Sequence, residues 1–145
     1  MRRNLALLAI TALVTLFVAR VWAQPKAKPG DFQGYWMGVD PVDGGDARRS
    51  LVQLDNGKFA MAGRDTVLSL CDGTEHGLGS FEDGTIVDRN VLVSNTLTLK
   101  CFNNGASVTL HDRFELRADG LMVEITTTAD GNPVSTIVLH KVSAD

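Results

Sequence analysis

The sequence predicts an all-β fold: an eight-stranded antiparallel up-and-down β-barrel with one disulfide. Three observations support this prediction. Strand-like runs follow one another from about residue 32, joined by short turns rich in Gly, Asn and Asp. No segment between them has the length and periodicity of a crossover helix. The central runs alternate apolar and polar residues, so one sheet face must be covered. Closure into a barrel covers it and removes the exposed edges, whereas a two-sheet sandwich needs connections that cross between sheets.

The first 23 residues have the pattern of an export signal. Arg2 and Arg3 precede an uncharged apolar run over residues 5–19, and short residues at 21 and 23 suit a cut before Gln24. An uncleaved membrane anchor is the alternative. Because the apolar run is shorter than the ~20 residues of a spanning helix, we expect cleavage, a secreted or periplasmic location and no membrane span afterwards.

Residues 24–30 predict a solvated linker, and residues 31–143 predict a single barrel domain, since a chain of this size can bury one core. The full chain has 14 basic and 17 acidic residues, and three of its arginines lie in the signal. The remaining 11 basic and 17 acidic residues give a net charge of −6. An acidic exported domain is a poor candidate for binding nucleic acid or an anionic membrane.

Cys71 and Cys101 are the two cysteines of the chain. In an oxidising compartment they predict an intramolecular disulfide, because neither close spacing nor nearby His suggests a metal or redox pair. Its loop of about thirty residues would stabilise the domain by roughly 3 to 4 kcal/mol in the chain-entropy model. The three His residues are far apart in sequence and give no metal signature.

The first predicted strand follows Phe32 and ends at an acidic loop over residues 40–46. Three carboxylates in that loop could meet calcium, but the alternating ligand pattern of a calcium loop is missing, and a solvated loop is expected. Asn56-Gly57 then predicts a hairpin that pairs Leu54 with Phe59 and Val52 with Met61. The second strand of this hairpin is expected to continue through Val67 towards Cys71.

Residues 72–79 form the longest and most chemically mixed loop, with Asp72, Glu75 and His76 as acids, bases or ligands. Catalysis is not expected, because no nucleophile is specified and an isolated loop His beside acids is usually solvated. The next strand is predicted over residues 79–87, although Asp83-Gly84 could instead form a turn within it.

The next two hairpins fix a predicted register. A two-residue turn at Asn104-Gly105 pairs Leu99 with Leu110, Leu97 with Asp112 and Asn95 with Phe114. A second at Asp119-Gly120 pairs Phe114 with Ile125 and Asp112 with Thr127. All these residues then share the apolar face. The last strand, about 134–142, has two alternative inner faces, beginning at Val134 or at Ser135, and its turn does not decide between them.

Asn95, Asp112 and Thr127 are polar residues on that predicted apolar face. Burying a carboxylate without a partner is costly, so these groups must bond each other, water, a loop or a ligand. The two open interpretations are an internal polar network, with or without a buried water, and a ligand site.

Gly34-Tyr35-Trp36, at the start of an exported eight-stranded meander, resembles the Gly-x-Trp motif of the lipocalins and their calycin relatives, which include the avidins. The resemblance implies that Gly34 and Trp36 lie in the first strand of a barrel, where Trp36 acts as a structural plug at one end. The later Asp-Tyr pair of lipocalins and the several tryptophans of a biotin pocket are missing, so no haem, retinoid, biotin or other cofactor is expected. Exported barrels with one disulfide also include bacterial inhibitors of proteases and lysozymes, a similarity of architecture.

Two functions are predicted, and neither is enzymatic. The first is binding of a small, partly apolar molecule in the barrel, with Asn95, Asp112 and Thr127 as polar contacts. Its predicted apolar lining is Leu97, Leu99, Leu110, Phe114 and Ile125. The second is a protein-interaction module or enzyme inhibitor whose barrel is filled and whose loops 40–46 and 72–79 contact the partner. An open lumen favours the first function, and a filled lumen favours the second.

Overall fold

The computed structural model describes residues 28–67, 71 and 76–143, and their strands form one closed antiparallel barrel. Each strand pairs with its sequence neighbours, and the last pairs with the first, so the predicted eight-stranded up-and-down barrel is confirmed. The elements are α1 (Pro29–Phe32), β1 (Gly34–Val39), β2 (Asp46–Gln53), β3 (Phe59–Asp65), β4 (Gly77–Asp88), β5 (Val91–Cys101), β6 (Ser107–Leu116), β7 (Met122–Thr127) and β8 (Pro133–Ser143).

Several predictions concern residues outside this description. The predicted export signal over residues 1–23, most of the predicted linker and residues 72–75 of the predicted interaction loop lie there. The short helix α1 begins at Pro29, within the last residues of the predicted linker. Across residues 28–67, 71 and 76–143, no helix is long and apolar enough to cross a membrane.

One end of the barrel, here named the closed end, carries α1 and the turns that follow β2, β4 and β6. Trp36 is fully buried there and donates its indole N–H to the carbonyl oxygen of Phe32 at 2.9 Å. Phe32 packs edge-on against Phe59, with ring centroids 6.1 Å apart, and the Lys141 ammonium lies 5.2 Å from the Trp36 ring. Gly34 has a φ of 132°, which favours glycine at the bend from α1 into β1. These aromatic rings fill the lumen at the closed end.

The opposite end, here named the open end, carries the loops after β1, β3, β5 and β7. Cys71 and Cys101 form the predicted disulfide, with Cα atoms 5.6 Å apart, so the disulfide prediction is confirmed. Both cysteines are buried. The bridge ties the segment between β3 and β4 to the end of β5, and such a disulfide is compatible with a periplasmic or extracellular protein.

The predicted register of the first hairpin is wrong by one residue. Leu54 donates its N–H to the carbonyl of Lys58, so the loop encloses three residues, and Leu51 pairs with Met61. A three-residue loop with Gly57 at a φ of 77° replaces the expected two-residue turn. Leu51 therefore faces the core, and Val52 is 45% exposed. We expected this strand to continue through Val67, but β3 ends at Asp65.

β4 is one uninterrupted strand, so the alternative turn at Asp83-Gly84 is excluded. It also begins two residues before the predicted start at Gly79 and ends one residue after Val87. In β8, Ile137 and Leu139 are buried, whereas Val138 is 47% exposed. The inner face of this strand is therefore the alternative that begins at Ser135.

The registers of the two later hairpins also differ from prediction. The loop after β5 encloses four residues, closed by the Cys101 N–H to Ala106 carbonyl bond, and pairs Leu97 with Leu110. This shift of two residues keeps the inner face unchanged. The loop after β6 encloses three residues, and Asp112 pairs with Thr126, a shift of one that exchanges the two faces of β7.

Candidate functional site at the open end of the barrel

A charged network lies inside the barrel. Arg49 on β2, Asp65 at the end of β3 and Glu124 on β7 are each less than a tenth exposed. Arg49 Nε donates to the two carboxylate oxygens of Glu124 at 2.8 and 3.0 Å, and its Nη1 lies 2.9 Å from Asp65 Oδ1. Gly63 gives this side chain its room, because a Cβ there would lie 2.8 Å from Arg49 Cδ. One guanidinium thus joins carboxylates from two other strands.

Asp112 adds a further acid to the network. It is 2% exposed, and its Oδ1 accepts the Thr126 hydroxyl at 3.1 Å. Its Oδ2 is buried and has no hydrogen-bond partner among the described residues. Burial raises the pKa of Asp112 well above its usual range, and the negative charge of Glu124 raises it further against the opposing effect of Arg49. Asp112 therefore keeps its proton to a higher pH than an exposed aspartic acid does.

The other network pKa values follow from the same balance. Burial raises the pKa of Asp65 to about 6, because the cost of burial and the charge of Glu124 outweigh the attraction of Arg49. Burial alone would lower the pKa of Arg49, but Glu124 and Asp65 raise it, so the guanidinium stays charged. The acidic groups of the network outnumber its single cation.

A cavity of about 40 Å³ opens next to the network. Four carboxylates and one guanidinium reach its wall: Asp40, Asp43, Asp65, Glu124 and Arg49. The apolar part of the wall is formed by Val42, Met61, Leu97, Leu99, Leu110, Val134 and Ile137. The volume suits about three water molecules or one small head group. Pockets that enclose a whole drug-sized molecule measure roughly 300–1,000 Å³, so this cavity is too small for a molecule of that size.

The loop after β1 places two acids at the mouth of the cavity. Asp40 accepts the N–H of Val42 at 2.8 Å, and Asp43 accepts the N–H of Gly45 at 2.9 Å. These turns hold both side chains through their own backbone. Val42, which lines the cavity, is 60% exposed. Among the described residues, no three His, Cys, Asp or Glu side chains are grouped so that they could hold a metal ion.

The structure brings together some of the predicted site residues. Leu97, Leu99 and Leu110 line the cavity, and Asp112 is hydrogen-bonded to Thr126, which also lines it. Phe114 is fully buried, but it packs against Phe81 with centroids 6.1 Å apart and does not line the cavity. Of the five residues predicted for the apolar lining, the three leucines therefore line the cavity and Phe114 lies in the core.

The predicted inner positions of Asn95, Ile125 and Thr127 are wrong. The β5–β6 ladder shifts between Ser94 and Leu97, and this bulge turns Asn95 to solvent while Ser94 is buried. The three-residue loop after β6 places Glu124 and Thr126 inside, so Ile125 and Thr127 lie on the outer face. Both errors come from local turn and bulge geometry.

Sequence reasoning missed Arg49, Asp65, Glu124 and Thr126. A three-residue loop at 55–57 would have placed Arg49 on the same face as Leu51, two residues away. For β7 the sequence signal is misleading, because Val123 and Ile125 are more apolar than the inner residues Glu124 and Thr126. No protein-family model matches this chain, and no curated protein is significantly similar to it.

Proposed function

We propose that the protein is an exported binding protein that holds a small, cationic and partly apolar molecule at the open end of its barrel. The observation that supports this most strongly is the charge imbalance of the cavity, where four carboxylates face one guanidinium. An uncompensated carboxylate in a partly buried wall attracts a cation more strongly than it would in water. The leucines of the wall suit the alkyl part of such a molecule.

In this proposal the network residues have separate roles. Arg49 fixes Glu124 and Asp65 in place and neutralises part of their charge. Asp40 and Asp43, held by their turns, attract the cation at the mouth. The role is binding and not catalysis. Export is proposed from the predicted signal, and the disulfide is compatible with an oxidising destination.

Calorimetric titration with three matched ligands tests this function: pentylammonium, 1-pentanol and pentanoate. We expect pentylammonium to bind with a dissociation constant on the order of millimolar, because so few atoms contribute. The alcohol and the carboxylate lack the charge that the cavity selects and should bind much more weakly. Equal affinity for pentylammonium and pentanol would show that the carboxylates do not select the ligand.

A pair of matched variants locates the site. Asp43→Asn keeps the oxygen that accepts the Gly45 N–H but removes a charge at the mouth, and should weaken pentylammonium binding by about threefold to tenfold. Asp119→Asn makes the same change in a closed-end turn, where Asp119 accepts the N–H of Leu121 at 3.1 Å. It should leave the affinity unchanged. An equal loss in both variants would point to net charge and not to the cavity.

The small cavity favours a second candidate, a protein-interaction module that receives one basic side chain of a partner protein. A cavity of about 40 Å³ admits the tip of such a side chain but not a whole ligand of ordinary size. Exposed Val42 and Phe102, at 60% and 51%, lie in two open-end loops that a partner would cover. Replacing residues 40–46 by a neutral loop should abolish partner binding, and preserved binding would count against this candidate.

A further inference from the structure

A row of outward-facing residues crosses the barrel near its open end, apart from the cavity. The strand register places Arg48 on β2 opposite Arg64 on β3, Arg64 opposite Leu78 on β4, and Leu78 opposite Lys100 on β5. Their sequence neighbours Arg49, Asp65, Leu99 and Cys101 are buried inside the barrel, so the row faces out. Neighbouring strands lie about 4.8 Å apart, which places Lys100 about 10 Å from Arg64 along the row.

The cations of this row are poorly compensated. Arg48 and Arg64 are like charges directly opposite each other, an arrangement that destabilises a sheet. Within the described part of the chain, their only ion pair joins Arg48 to Asp46 at 3.7 Å, and Lys100 has none. Arg48 Nε is buried without a hydrogen-bond partner there. Three neighbouring cations with a single paired acid give this face a local positive charge, which attracts an external anion.

A second row with different chemistry runs beside the cations. Ser50, Ala62, Ser80 and Thr98 are aligned across β2 to β5 and form the floor of a surface groove of about 490 Å³. The floor offers hydroxyl groups and small methyl groups, and Glu82 lies on the lining as its one acid. Val52, Ala60, Met61 and Phe81 supply the apolar part of the lining, but Phe81 is buried in the barrel core and is not exposed as an aromatic anchor of a protein interface would be.

We propose that this outer face binds an acidic polysaccharide. Its carboxylate groups pair with Arg48, Arg64 and Lys100, since a guanidinium matches a carboxylate with two parallel hydrogen bonds. Its sugar hydroxyls bond the hydroxyl row of the groove. An acidic protein segment would meet the same cations, but its carboxylates would make no use of the hydroxyl floor.

Three oligomers of equal length test the proposal on the purified protein: hexagalacturonate, the neutral maltohexaose and hexaglutamate. We expect hexagalacturonate to bind most tightly, and to weaken at least about tenfold between about 20 mM and 200 mM salt, because the exposed charges are screened. Maltohexaose should bind negligibly. No hexagalacturonate binding at low salt would overturn the proposal.

Two double variants of equal charge change separate the row from net charge. Arg64→Gln with Lys100→Gln should weaken hexagalacturonate binding by about tenfold. Arg113→Gln with Arg117→Gln removes two cations that are already paired with Glu115 and Asp119, and should leave it unchanged. Equal losses in the two double variants would overturn the proposal. Unchanged thermal midpoints would show that both double variants are folded.

Thr98→Val tests the hydroxyl floor, because it keeps the shape and strand preference of the side chain. We expect it to weaken hexagalacturonate binding about threefold and to leave hexaglutamate binding unchanged. Equal binding of the two acidic oligomers, with no effect of Thr98→Val, would assign the surface to an acidic peptide and would contradict the proposed saccharide.

Discussion

Arg49 is the residue that makes an acidic barrel interior tolerable. Its guanidinium bonds Glu124 and Asp65 at 2.8 to 3.0 Å, and all three side chains are less than a tenth exposed. Removing one partner of a buried ion pair is far more costly than the pair itself is worth, because the other charge is left without compensation. The Arg49 guanidinium therefore determines both the charge of the cavity and part of the stability of the barrel.

Arg49→Met should lower the free energy of unfolding by about 3 to 5 kcal/mol at neutral pH, because it keeps the aliphatic volume and leaves Glu124 and Asp65 unpaired. Urea denaturation measures the change. Arg113→Met is the matched control, since the Arg113 to Glu115 pair at 2.7 Å is exposed, and should cost less than about 1 kcal/mol. A loss of similar size in both variants would show that burial of the Arg49 network contributes little.

The buried acids make stability depend on pH in an unusual direction. Asp65 has a folded-state pKa of about 6, and Asp112 is also raised, both above the ordinary value of 3.8. Between the unfolded-state pKa and the folded-state pKa of each acid, the folded protein binds more protons than the unfolded chain. The stability contribution of each acid is therefore present at low pH and is lost as the pH rises. For Asp65 the loss extends from about pH 4 to about pH 6.

Asp112→Asn should make this pH dependence shallower. The amide keeps an oxygen for the Thr126 hydroxyl and adds a permanent N–H donor towards Glu124, where the acid needs a bound proton. We expect the variant to be at least as stable as the natural protein at pH 7. Urea denaturation at several pH values between about 4.5 and 7.5 tests this. An unchanged pH slope would mean that Asp112 does not take up a proton on folding.

At the scale of elements, the sequence is informative about which strands exist and less so about their register. The closed barrel, the disulfide and the inner positions of Leu97, Leu99, Leu110 and Asp112 were all predictable from alternation and turn residues. The lengths of the hairpin loops could not be predicted in the same way. An Asn-Gly or Asp-Gly pair suits a two-residue turn and also a three-residue loop that ends in Gly, and the two differ by one residue in register.

This difference of one residue in register decides which side chains line the candidate site. On β7 the three-residue loop turns Glu124 inward and Ile125 outward, against the order that hydrophobicity alone favours. Glu124 can be buried only because Arg49, distant in sequence, meets it across the lumen. At the bulge that turns Asn95 out, Asp83 on the neighbouring strand β4 accepts the hydroxyl of buried Ser94 at 2.5 Å. Pairings of this kind are invisible in one sequence without its fold.

The disulfide is the element-scale constraint on the open end. Replacing Cys71 and Cys101 together by Ser should lower the free energy of unfolding by about 3 to 4 kcal/mol, because the bridge restricts a long loop of the unfolded chain. Urea denaturation of the double variant, beside the natural protein with and without reductant, measures this. If reduction of the natural protein and the double substitution left stability unchanged, the bridge would have no structural role.

At the scale of the whole molecule, the barrel separates three environments. The closed end is filled by Phe32, Trp36 and Phe59, and the open end holds a small acidic cavity. The outer face over β2 to β5 carries a cationic row beside a groove of hydroxyl groups. The proposed cation site and the proposed polysaccharide surface therefore lie on opposite sides of the sheet, and each can be tested without disturbing the other.

The proposed cation site is tested most directly by NMR chemical-shift mapping of pentylammonium binding, with 1-pentanol as the matched control. Pentylammonium should shift the methyl signals of Leu97, Leu99, Leu110 and Ile137, which line the cavity, and leave those of Leu51 and Leu139 unchanged in the core. Pentanol should produce much smaller shifts. Shifts spread over the closed end or the outer face, or equal shifts with both ligands, would contradict a cation-selective site at the open end.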